Sequence, residues 1–300
     1  MENSETNHAV ESAGGVSPFK DLCYDAGRAS FAPNQQCIAE FNNLSFYRQI
    51  KGREKEYILK DFNAVLNKGS ITAIVSPRSV DFAPFVEMLL RTYDYPEYMI
   101  ESGSIAVKGV NITNKKRDEA QKILEKVFNV AAPVMGAGVL WREHKSDATV
   151  KDFISQKVFH EFYDDSELEK SLGSVGFSNV EELYAKNYDS LSLADKERVK
   201  LAQDLCYPQD VAVMVYPPMC LDAECKVLLK RLMLDRIVTN TVRCILLLTE
   251  DMEFAASCAD QIYVLDKGEI IDGGARQSVI NGFKNELVRK ILANGLPEKD

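Results

Sequence analysis

Two kinds of apolar pattern divide the chain. Over residues 41–46 and 58–66, apolar and polar positions mix as in strands with one covered face, with a turn over Glu54 to Tyr57 between them. Residues 102–112 alternate and break at Gly109, which predicts a short antiparallel hairpin. Asn67-Lys68-Gly69 forms a tight turn into Ile71-Thr72-Ala73-Ile74-Val75. That run, Val211-Ala212-Val213-Met214-Val215, Cys244 to Thr249 and Gln261 to Leu265 are close to continuous, the mark of strands buried on both faces. Helical patterns follow Pro84, then cover 150–162 and 166–175, run on to Leu205, and return over 223–238 and 282–292. The alternation of strand and helix predicts an α/β fold. Residues 134–188 are helical and charged, an insert rather than part of the sheet. Residues 1–36 are rich in Ser, Asn, Glu, Gly and Ala without periodicity and read as a mobile tail, with order beginning near Ile38.

Composition narrows the classes. The 300 residues suffice for one large domain or two small ones. Hydrophobic residues make up 46% and mean hydropathy is −0.19, values of a soluble globular chain. No run approaches the roughly 20 apolar residues of a membrane span, and the polar N-terminus has no signal-peptide core. A cytoplasmic location is expected, compatible with peripheral docking on the inner face of a membrane. The net charge of −9 argues against a nucleic-acid partner. Seven cysteines show no CxxC spacing and only three histidines are present, so no metal site is expected and the thiols read as free and mostly buried.

The chemistry expected of such a chain belongs after residue 75, and there it fails. Ser76-Pro77-Arg78-Ser79-Val80-Asp81-Phe82-Ala83-Pro84 has the strand–loop–helix layout of a P-loop, which reads G-x-x-x-x-G-K-[ST]. Glycines let backbone N–H groups curl round phosphate, lysine adds charge and the hydroxyl holds Mg²⁺. Here Ser76 and Asp81 stand for the glycines, Phe82 for the lysine and Ala83 for the hydroxyl residue. Arg78 reads as a solvated arginine rather than an anion contact.

Four segments in fixed order resemble the nucleotide-binding domain of ATP-binding-cassette (ABC) transporters. They are residues 69–75 before the loop; Leu191-Ser192-Leu193-Ala194-Asp195 and its helix, similar to the LSGGQ signature; residues 211–222, similar to Walker B and the D-loop; and residues 248–251 with 259–270, similar to the switch and terminal hairpin. The resemblance implies a RecA-like P-loop-type core, an antiparallel β-subdomain and a helical insert over about 134–195, within a domain spanning 37–285 and followed by a C-terminal helix or tail over 286–300.

It also implies positions for catalysis, and the chain departs from each. Val215 stands at the Mg²⁺-binding aspartate, Tyr216 at the catalytic glutamate and Glu250 at the switch histidine. Leu193 and Ala194 replace signature glycines, and the Q-loop glutamine falls near Ala132. An aromatic at the adenine position (Phe46 or Tyr47), Ser192 and the D-loop Asp222 remain as vestiges. Phosphoryl transfer rests on positioning and charge neutralisation, so no catalytic residue is expected and neither ATP nor Mg²⁺ should bind tightly. Tyr216 reads as filler of a vacated pocket.

What the resemblance leaves is a non-catalytic subunit, a pseudo-ATPase, with a structural or regulatory role in a membrane-associated transport complex. A permease-type membrane protein would be its partner, with a second ABC ATPase subunit or a second copy as dimer mate. The rivals are the inactive half of an asymmetric ATPase pair and a soluble scaffold unrelated to transport. Phe128 and Trp141, near the former Q-loop, are the candidate partner contacts. Core packing is an equal reading for Phe128, whereas Trp141 beside Arg142-Glu143-His144-Lys145 suits an exposed anchor.

Overall fold

A computed structural model describes residues 36–78, 82–131, 148–155, 165–216 and 223–281. Two sheets form it. The first is antiparallel and takes β1 (Cys37–Arg48), β2 (Glu56–Asn67), β4 (Tyr98–Val107) and β5 (Val110–Asn111) in the order β2-β1-β4-β5. The second runs β10-β9-β3-β8-β7-β6, built from β3 (Ser70–Val75), β6 (Phe128–Ala131), β7 (Gln209–Tyr216), β8 (Val242–Thr249), β9 (Gln261–Asp266) and β10 (Glu269–Ala275). Its strands are parallel except β10, which returns antiparallel on β9.

Side-chain alternation along the parallel strands explains the layering. Ile71, Ala73, Ile245, Leu247, Ala212 and Met214 face one apolar cluster, whereas Ile74, Leu246, Leu248, Val211 and Val213 face the other. The first cluster is roofed by helices, including α6 (Leu193–Leu205), α7 (Ala223–Val238) and α8 (Met252–Cys258); the second by the antiparallel sheet with α1 (Phe82–Leu90) and α2 (Arg117–Leu124). The insert contributes α3 (Val150–Ser155), α4 (Asp165–Ser174), α5 (Val180–Ala185) and a 3-10 turn at Tyr188–Ser190. The RecA-like core, β-subdomain and helical insert are therefore all present. A last helix, α9 (Arg276–Asn281), follows β10.

Two features differ from expectation. The turn expected over Glu54 to Tyr57 lies earlier, because Arg48 and Tyr47 pair with Glu56 and Tyr57 and extend the ladder; Arg53 N–H closes it onto Ile50 O at 2.9 Å. Strand β6 was not anticipated at all. Of the expected helix over 150–162, α3 covers the start and residues 156–162 lie outside the described residues, as do 282–292 and the terminal segments.

Burial also fixes the thiols. Cys206, Cys225, Cys244 and Cys258 are buried and Cys37 is exposed. Burial pushes the Cys244 and Cys258 thiols up to about 12, and the thiolate is the reactive form. An aromatic disulfide reagent at pH 8 is expected to modify Cys37 at least about a hundredfold faster than Cys244 or Cys258. Peptide mapping by mass spectrometry reads this, and comparable rates at all three would contradict the buried placement.

Candidate functional site

Strands β3, β8 and β7 end level: Val75 lies beside Thr249, and Thr249 beside Tyr216. The carboxyl edge of parallel strands, with a helix starting next to it, is where open α/β sheets bind ligands. Here described residues of that edge bond to one another. Ser76 is fully buried; its N–H donates to Thr249 O at 3.1 Å, and its Oγ accepts the Arg78 N–H at 3.2 Å. The Phe82 side chain is 3% exposed and belongs to the apolar cluster beneath the antiparallel sheet. Phe85, one turn on, meets Phe62 edge to face at 6.1 Å. Ala83 and Val215 are half-buried, Val215 against the same cluster.

The turn after β8 is equally held. Asp251 donates its N–H to Thr249 Oγ1 at 2.9 Å and caps α8 by accepting the Phe254 N–H on Oδ1 at 2.8 Å. Its Oδ2 pairs with Lys226 Nζ of α7 at 2.5 Å. Glu250 sits half-buried between these anchors, adding a second carboxylate to the turn.

No family model matches the chain. The L-cystine import ATP-binding protein TcyN of Bacillus subtilis (strain 168) is 24% identical over 265 residues, covering 83% of this chain and 94% of that protein. In three dimensions, cbiO1 from Clostridium perfringens, part of an ABC transporter complex, matches with a TM-score of 0.60 at 18% identity over 87% of this chain and 96% of its own. The dimeric ATP-binding cassette MJ0796, in a post-hydrolysis state with ADP and Pi, gives 0.61 at 14% identity over 80% and 99%. The chain thus shares the fold of ABC nucleotide-binding domains and is similar to them in sequence.

The segment similar to the signature carries a further change. Ser192 is the N-cap of α6: its Oγ accepts the Asp195 N–H at 3.1 Å and donates to Asp195 Oδ2 at 2.8 Å. The hydroxyl is thus committed to its own helix, and a carboxylate lies over it. The signal was legible, since Asp195 occupies the last position of the LSGGQ pattern, but only the two lost glycines drew attention.

The aromatic pair at the end of β1 is split by strand alternation. Phe46 points into the core between Tyr93 and Tyr98, with ring centroids at 5.2 and 5.8 Å. Tyr47 faces the other side, where Lys55 Nζ stands 4.3 Å above its ring and Tyr57 packs edge-on. Glu101 holds that cover by accepting from Lys55 Nζ and Tyr57 OH, both at 2.6 Å. Those two hydrogen bonds hold the Glu101 carboxyl below its ordinary value. Only 6% of Tyr47 is exposed, so the ring is covered by the chain's own side chains.

Phe128 requires a correction. It lies in β6 beside Val211, is 4% exposed and packs in the core, so it is not a partner contact. Trp141 and Asp222 lie outside the described residues, and of Tyr216 only the strand position is described. Among the described residues no group of three His, Cys, Asp or Glu could hold a metal ion, and no helix is long and apolar enough to cross a membrane.

Proposed function

We propose that this chain is a non-catalytic ABC subunit that serves a membrane-associated transport assembly through protein contacts. It would sit on the cytoplasmic face of a membrane beside a permease-type protein, alongside a second ABC subunit or a second copy of itself. The observation that carries the reading is the Phe82 ring buried where the phosphate-binding lysine is expected. A lysine there would face the loop, whereas this side chain stabilises the core. Glu250 adds the opposite charge: a carboxylate about 4 Å from a phosphate oxygen costs roughly 4 kcal/mol at an effective dielectric of 20.

A ligand at about 100 times its dissociation constant raises stability by roughly 2.7 kcal/mol. Millimolar Mg-ATP is therefore expected to leave the melting temperature within error of Mg²⁺ alone. A clear upward shift would sink the reading.

The rival in which this chain completes a partner's ATP site through its signature is disfavoured by Asp195, which places a carboxylate over the one surviving hydroxyl. Docking is assigned to the region near Trp141. Aromatic anchors at interfaces cost about 2 kcal/mol or more on truncation, so Trp141→Ala should release the membrane partner in a pull-down. Melting should stay within about 0.5 kcal/mol of wild type, as for a surface change. Retained binding by the folded variant would move the interface elsewhere.

A further inference from the structure

Helix α7 is held by polar side chains at both ends, and the partners belong to different parts of the molecule. At its start, Lys226 pairs with Asp251, which is only 11% exposed and caps α8. One residue earlier, Cys225 Sγ accepts from Arg198 Nε of the signature helix α6. At its end, Arg236 is 3% exposed and donates to Ser171 Oγ at 2.5 Å and Glu167 Oε2 at 3.2 Å, both on α4 of the insert. Ser171 is itself fully buried and donates to Glu167 O at 2.8 Å.

Apolar helix faces can slide past one another with small losses, but a buried guanidinium or carboxylate displaced from its partner leaves an unpaired charge. These bonds therefore fix the axial position of α7 against the insert and against the strand-end turn together. Ten residues at 1.5 Å each place the two anchor points about 15 Å apart along the helix.

We propose that α7 is a strut that couples the insert helix α4 to the turn Thr249–Asp251, so that the two open and move as one body. A partner seated near the insert would then reach the strand-end turn without any nucleotide; that consequence rests on the function proposed above, whereas the coupling itself does not.

Hydrogen exchange of the full chain, without nucleotide, tests it. Exchange reports the free energy of local opening segment by segment. Lys226→Met removes the pair at one end only. It is expected to raise exchange about tenfold in the first turn of α8 and also in residues 165–174 of α4. Arg236→Met should do the reverse, raising exchange in α4 and at the Phe254 amide. Amides of β8 serve as reference and should not change. A rise confined to the mutated end overturns the strut, and so does an equal rise in β8, which would mean global destabilisation. Should Arg236→Met not fold, Glu167→Gln, which leaves the guanidinium its Ser171 bond, reads the same end with the same two outcomes.

Discussion

Phe82→Ala is expected to destabilise the chain by about 3–5 kcal/mol, the range for deleting a buried phenyl ring. Phe82 opens α1, and its 3% exposure places the ring with Phe62, Phe85 and Leu89 under the antiparallel sheet. Alanine leaves a cavity that the helix cannot fill without moving away from β2. Phe82→Lys restores the residue type a P-loop uses at this position, yet it should be no better. The ammonium would have to leave the cluster, taking the first turn of α1 with it. Denaturant unfolding measures both variants. A loss below about 1 kcal/mol for Phe82→Ala contradicts the burial, since surface changes cost under about 0.5 kcal/mol. Mg-ATP stabilisation gained by Phe82→Lys would show that the phosphate site needs only its lysine back.

The parallel core was legible because β3 and β8 are buried on both faces, so their apolar runs are almost continuous. Strand β6 was missed for the opposite reason. It has four residues, its ladder is to β7, and its alternate Asn129 gives no run long enough to stand out. That miss left Phe128 open between core packing and a partner contact, and its place in β6 beside Val211 decides for the core. The candidate site was legible as a list of substitutions against the family pattern, but not as the contacts that those side chains make. Lys55 over Tyr47 and Lys226 on Asp251 join residues 8 and 25 positions apart, and neither pair lies within a single element. Ser192 and Asp195 are only three apart and follow a helix-capping rule that depends on spacing alone, so that change could have been read from the chain.

Gly268→Ala should cost about 3 kcal/mol and Gly109→Ala only about 1 kcal/mol, although both glycines sit at positive φ in turns between antiparallel strands. The shared part is backbone strain: an L side chain in the left-handed region costs roughly 1–2 kcal/mol. Space makes the difference. A Cβ at Gly109 would meet nothing within 4 Å, whereas one at Gly268 would lie 2.6 Å from Tyr57 O and 3.0 Å from Tyr57 C. Those are backbone atoms of β2, which cannot swing aside as a side-chain tip can. Relief requires the β9–β10 turn to back away from β2, and that breaks the Lys60 N–H bond to Gly268 O at 2.7 Å and loosens the Lys60–Glu269 pair at 2.6 Å. A net backbone hydrogen bond adds about 1 kcal/mol to the strain. The exposed ion pair adds little. Because this turn joins the edge of the parallel sheet to the antiparallel one, the loss should appear as lower global stability in denaturant unfolding. Equal losses for the two variants would mean that β2 yields freely at Tyr57 and that the close approach does not hold the sheets together.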